Sequence, residues 1–333
     1  MDNLTIDAGH DHVVTNGRQT KDQRPLKTPR VIDSLDARLS AHRHGQILEL
    51  TMSGPHAQPA VVIGVDGSAA ALRAALWAVD EAASRDIPLR LIHALDADDS
   101  ESLDTARTFA AAERAVRRVI AAVEATDKPV KIEVDITEGP PVGTLVRASR
   151  SAAMVCVGAV GSDHFQPDRV GSTAAAVATS AQCPVAVIHG FGRRPRSHPG
   201  WVIVEVDKSP DNGVVLGAAV DEARLRNAPL RVITCWPAPS CDEQAVTEGD
   251  NRIHAQLTRR LSPWRRRYPD LRIEPIAVHG SILDYLSKSA GDVQLLVVGG
   301  RDAQHLGELV GAAGNAALRD SDHAVLVVDR QHL

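Results

Sequence analysis

The sequence predicts an α/β protein: two tandem five-stranded parallel-sheet domains behind a flexible, polar N-terminal tail. Three observations predict it. Short β-branched runs alternate with stretches of helical period, the pattern of a doubly wound sheet. The whole series then occurs a second time, shifted by 141 positions. In the first copy, one strand runs through glycines into a helix start, at Val155 to Thr173, VCVGAVGSDHFQPDRVGST.

The elements follow in order. Residues 1–57 are polar, carry both charges and lack a sustained apolar period. Segments such as TNGRQTKDQRPLKTPR bury too little apolar surface to offset ordering entropy, so a tail with one short helix near Val31–Leu39 is expected. Its pairs His10/His12 and His42/His44 have no further ligands placed around them. Ala60–Val65 is a continuous apolar run, as in a strand buried on both faces. Asp66, Gly67 and Ser68 end it, and AAALRAALWAVDEAASRD repeats apolar residues at helical spacing. LRLIHAL after Pro88 is a second strand, Ser102–Thr126 a long helix and Val130–Ile136 a third strand. After EGPP come a helix over Val142–Arg150 and a strand over Met154–Val157. The glycine loop, an Ala174–Ser180 helix and a last strand, Cys183–Ile188, complete the domain. The expected division is a tail over 1–57, domains over 58–190 and 201–333, and a linker over 191–200 that contains GRRPRSHPG.

The repeat is read residue by residue. VIVEVDKS aligns with VVIGVDGS, so Asp207 stands 141 positions after Asp66. Val220-Asp221-Glu222-Ala223 falls on Val79-Asp80-Glu81-Ala82, and Gly299 on Gly158. Val325 follows Val185 by 140, so one residue is missing from the second glycine loop. That loop, GGRDAQHLGELVGAAGN, has Asp302 where the first has Gly161. It matches Gly171 with Gly311 and replaces Ser172 by Ala312. A lost hydroxyl and an added carboxylate predict a weak or empty second site, with Gly300 or Gly314 as partial substitutes.

A net charge of −5 over 333 residues gives no electrostatic reason for nucleic-acid or membrane binding. No apolar run reaches a membrane-span length, and MDNLTIDAGHDHVV lacks a signal-peptide core, so a cytoplasmic protein is expected. The four cysteines, Cys156, Cys183, Cys235 and Cys241, form no CxxC pair; Cys156 and Cys183 read as buried hydrophobes.

In an open parallel sheet a ligand binds beyond the carboxyl ends of the strands where strand order reverses. Asp66 and Gly158 end the first and fourth strands, and both lie at that crevice if those strands are neighbours. A carboxylate there suits a ribose hydroxyl or a metal. Backbone N–H groups of Gly158–Ser172 suit phosphates. The plainer alternatives are a turn or helix cap for Asp66 and an ordinary glycine turn for the loop. The sequence has no Walker-A motif and no nucleophile elbow. Asp163 and His164 lie in the loop, and His93 reads as a satisfied core residue.

The spacing Gly158-x2-Gly161-x9-Gly171-Ser172 resembles the nucleotide loop of the universal stress protein family. V-D-G-S at Val65–Ser68, L-I-H-A at Leu91–Ala94, E-G-x-P at Glu138–Pro141 and C-P-V at Cys183–Val185 extend the resemblance over residues 58–333. It implies a Rossmann-like, adenine nucleotide alpha hydrolase-like fold. It also implies ATP as ligand, with Mg²⁺ as a companion. Gly64, Asp66 and Ala94 would surround adenine and ribose, and Val157, Gly158, Gly161, Gly171, Ser172 and Thr173 the phosphates. Pairing through the last strand is implied too, within the chain between the Ala186 and Val327 regions, and in a homodimer. The expected function is ATP-dependent regulation of stress or growth. Two alternatives stay open: a slow ATP-hydrolysing or self-phosphorylating enzyme with Ser162 or Ser172 near the γ-phosphate, and an interaction module without nucleotide.

Overall fold

The computed structural model describes residues 48–50, 58–95, 105–159, 171–190, 200–207, 212–237, 243–289, 292–300, 303–317 and 323–328. All belong to one compact unit, His44–Leu333. The expected helix near Val31–Leu39 and both His-x-His pairs lie outside them.

The first domain contains β2 (Val61–Gly64), α1 (Ala69–Arg85), β3 (Leu89–Leu95), α2 (Thr105–Glu124), β4 (Ile132–Glu138), α3 (Pro141–Ala148), β5 (Met154–Gly158), α4 (Ser172–Ser180) and β6 (Val185–Ile188). A short strand, β1 (Leu48–Leu50), precedes it. The second domain repeats the series as β7 (Trp201–Glu205), α5 (Asn212–Leu225), β8 (Leu230–Trp236), α6 (Glu243–Arg267), β9 (Ile273–His279), α7 (Ile282–Ser289), β10 (Val293–Gly299), α8 (Ala303–Val310), α9 (Ala312–Ala317) and β11 (Ala324–Val328). Each domain has five parallel strands with helices on both faces. In α1, Ala71, Ala74, Ala75, Ala78, Val79 and Ala82 are buried at helical spacing. Ser68 caps its start by accepting from the Ala71 amide at 3.0 Å, and Asp86 ends it in the left-handed conformation, φ 52°.

The strands form one sheet in the order β1-β4-β3-β2-β5-β6-β11-β10-β7-β8-β9. Every ladder is parallel except β6–β11, where the last strands of the two domains pair antiparallel, Val185 opposite Val327 and Ile188 opposite Ala324. The expected pairing within the chain is therefore present. Val185, Val187, Val325 and Val327 are all buried. Each such side chain stabilises by about 1.5–3 kcal/mol when taken from water, so the joint between domains behaves as core. The core clusters on the two sheet faces each run through both domains.

Two differences from expectation have physical causes. β4 extends to Glu138 because seven-residue β3 pairs with it along its full length, and Gly139, at φ 134°, ends it. β1 lies within the stretch expected to be a tail and pairs with Ile132–Val134. Three residues are too short a run to show a strand period. The Leu89 amide donates to the Lys131 carbonyl, so ladder alternation turns residues 132 and 134 outward to meet β1. The same geometry at Leu230 and Arg272 turns Pro275 outward on β9. Proline has no N–H there to offer, which blunts the far edge of the sheet.

Candidate functional site

β2 lies between β3 and β5, so strand order reverses between β2 and β5. Val61 pairs with Met154 and Ile63 with Cys156. This brings Asp66, two residues beyond β2, and Gly158, the last residue of β5, to the same carboxyl end.

Asp66 is exposed, and its Oδ1 accepts from the Ser68 amide at 2.9 Å. The turn needs Gly67 at φ 84°, a conformation that L side chains rarely adopt. Asp66 thus holds the turn that starts α1 while standing at the crevice. A Cβ on Gly158 would lie 2.6 Å from the Ala70 carbonyl carbon and 2.8 Å from the Ala71 nitrogen. Its glycine identity lets the start of α1 pack on β5. A Cβ on Gly64 would meet Leu145 of α3 at 3.0 Å. Ala94, half-buried on β3, pairs with Thr137, and buried Val157 pairs with Val187.

Beyond β5, the Ala159 amide donates to the Ile188 carbonyl at 2.9 Å, and the Gly171 amide donates to the Ala159 carbonyl at 2.7 Å. The chain therefore returns to the end of β5 before α4 begins. Gly171 is the N-cap of α4 and supplies no side-chain cap; Ser172 is exposed and Thr173 half-buried behind it. Uncapped helix-start amides beside a glycine-ended strand can bind an anion. Gly161, Ser162, Asp163 and His164 lie outside the described residues. Burial lowers the His93 pKa, and a backbone hydrogen bond at Val65 and the Asp66 charge oppose it.

The second domain carries different side chains at the corresponding positions. Glu205 occupies the position of Gly64, and Cys235 that of Ala94. Helix α8 falls in the stretch whose sequence aligns with the glycine-spaced segment of the first copy, and Leu306, Leu309 and Val310 on it are buried. His305 of α8 reaches Glu205 at 2.6 Å, Nε2 to Oε2. Burial and the Glu205 charge push the Cys235 thiol well up, so it stays protonated. The Asn212 side-chain amide donates to Asp207 Oδ1 at 2.8 Å. A Cβ on Gly311 would lie 2.3 Å from the Gly307 carbonyl oxygen, and one on Gly314 1.7 Å from that of Leu309. These glycines serve the packing of α8 and α9. Asp302 lies outside the described residues.

Sequence reasoning missed Glu205 and His305. The 141-residue offset already set Glu205 against Gly64 and Cys235 against Ala94, which was the available signal. Among the described residues no group of three His, Cys, Asp or Glu side chains is placed to hold a metal ion, and no helix is long and apolar enough to cross a membrane.

Two tandem doubly wound domains, each with its crevice at the carboxyl ends of the strands, define the structural class. The family model of the universal stress proteins matches residues 59–189 and 201–329. The chain belongs to the universal stress protein family. Universal stress protein Rv2028c of Mycobacterium tuberculosis is 50% identical over 290 residues, covering 85% of this chain and 100% of that protein. Universal stress protein Rv3134c of the same organism is 45% identical over 257 residues, covering 77% and 93%. A universal stress protein structure from Archaeoglobus fulgidus superposes with a TM-score of 0.60 at 18% identity, covering 81% of this chain and 96% of its own.

Proposed function

We propose that the chain binds one ATP, with Mg²⁺ as companion, in its first domain, and acts as a nucleotide-dependent regulator of stress or growth in the cytoplasm. The observation that carries this reading is the asymmetry at matched positions. Small residues, Gly64 and Ala94, stand at the end of the first domain's sheet, whereas the matched positions of the second carry Cys235 and Glu205, the latter paired with His305 of α8. Glu205 adds negative charge where a nucleotide would lie, and like charges there disfavour binding.

In the first domain Asp66 would hold ribose hydroxyls. The backbone of Val157, Gly158, Gly161, Gly171, Ser172 and Thr173, with Ser162, would surround the phosphates. The resemblance of this loop to that of the ATP-binding branch supports ATP as the nucleotide. The domains act as units 58–190 and 201–333 joined by 191–200. A homodimer would need a surface other than the β6–β11 ladder, which the chain fills with itself.

Titration of the full chain with Mg-ATP tests the reading. Gly171→Glu, which places a side chain and a negative charge at the start of α4, is expected to abolish binding without unfolding the protein. ATP affinity unchanged by Gly171→Glu overturns the site.

A further inference from the structure

The sheet has two outer edges, and the 141-residue repeat matches one to the other. β4 of the first domain corresponds to β9 of the second, Ile132 to Ile273 and Val134 to Pro275. The backbone at these positions faces away from the sheet interior, because the neighbouring carbonyls of Lys131 and Arg272 accept from Leu89 and Leu230. Outward N–H and C=O groups of this kind are a template for a further strand. β9 is the last strand of the sheet among the described residues, and buried Pro275 closes its edge by offering no N–H. β4, IEVDITE, contains no proline, and β1 lies on its edge instead. Two unlike devices thus act at one repeated position.

β1 runs parallel to β4, with Leu48 opposite Ile132, Glu49 opposite Glu133 and Leu50 opposite Val134. Since residues 132 and 134 face outward, parallel alternation sets the Glu49 backbone between them. Its N–H is directed at the Ile132 carbonyl and its C=O at the Val134 N–H. This cover pairs with three residues of β4, whereas β3 pairs with all seven on the other side. A three-residue strand held on one side only opens more readily than strands paired on both sides.

The joint at β6 and β11 indicates what a bared edge takes. There, two copies of this domain pair edge to edge in antiparallel sense. Two chains related by a two-fold axis would bring their β4 edges together in that same sense. We propose that residues 48–50 are a removable cover on a strand-pairing edge, and that β4 pairs with β4 of a second copy of the chain when the cover is off. This surface for self-association is separate from the β6–β11 ladder, and the inference does not depend on nucleotide binding.

Three full-length chains test this: the wild type, Glu49→Pro, and Glu49→Pro combined with Val134→Pro. Proline at 49 removes the N–H that reaches β4. Proline at 134 reproduces the edge that the second domain already carries in the same fold, and the β3 ladder keeps its bonds because that N–H faces outward. Hydrogen exchange in dilute protein reads the cover: the Val134 amide is expected to exchange about tenfold faster in Glu49→Pro than in the wild type. Light scattering over rising protein concentration reads the edge. The molar mass of Glu49→Pro is expected to climb to twice that of the wild type, and the combined variant to stay at the wild-type mass. Equal Val134 exchange in the wild type and Glu49→Pro, a Glu49→Pro mass equal to the wild-type mass at every concentration, or a doubled mass that survives Val134→Pro overturns the proposal.

Discussion

Gly158 and Gly299 occupy the same position in the two copies but differ in what surrounds them. A methyl group at Gly158 would enter the backbone of α1 at 2.6 Å, whereas at Gly299 the nearest atom is 3.6 Å away, on Val215. Gly158→Ala is therefore expected to destabilise by about 1–3 kcal/mol through overpacking and to shift the start of α1. Gly299→Ala is expected to stay within about 0.5 kcal/mol. Urea denaturation of the two variants checks this, and equal losses would contradict it. The same comparison marks what the sequence revealed at this scale. The spacing of Gly158 and Gly171 pointed to the loop, but packing against Ala70 and Ala71 is a three-dimensional reason for glycine that no spacing displays. Asp66 likewise combines both readings, since it caps the turn and stands at the crevice.

Paired elements carry related charges with unequal weight. Arg90 of β3 and Glu133 of β4 meet at 2.9 Å, with side chains 4% and 10% exposed. Their counterparts Arg231 and Glu274 meet at 3.4 Å and are 21% and 29% exposed. Removing one partner of a buried pair strands the other, so Glu133→Ala is expected to cost about 3–5 kcal/mol. Glu274→Ala is expected to cost less than about 1 kcal/mol because water replaces the lost partner. Chemical denaturation measures both, and a reversed order would contradict the burial argument. Strand and helix periods made most elements legible, down to the helix of alanines after Ser68. α8 was not legible, because its eight residues lie in a stretch aligned with a loop and its apolar side is defined by packing. β1 was hidden for a related reason: its pairing is made by backbone at an open edge, and three residues show no period.

At the level of the whole molecule, the duplication read from the 141-residue offset gives ten strands that, with β1 at one edge, form one sheet among the described residues, its domains joined at β6 and β11. The offset foretold two like domains; it did not foretell that Glu81 and Glu222 would each pair with both Arg85 and Arg226 across the joint, because each copy shows only half of that ring. The proposed function treats the two copies of one fold as unequal sites. Gly64 and Ala94 stand at the end of the first domain's sheet where the second carries Glu205 and Cys235, with His305 on Glu205. The measurement that tests this most directly is equilibrium binding of labelled Mg-ATP to the full chain, counting molecules bound at saturation, in parallel with Gly171→Glu. The account predicts one ATP per chain and none in the variant. Two per chain, none in the wild-type chain at millimolar ATP, or one that survives Gly171→Glu would contradict it.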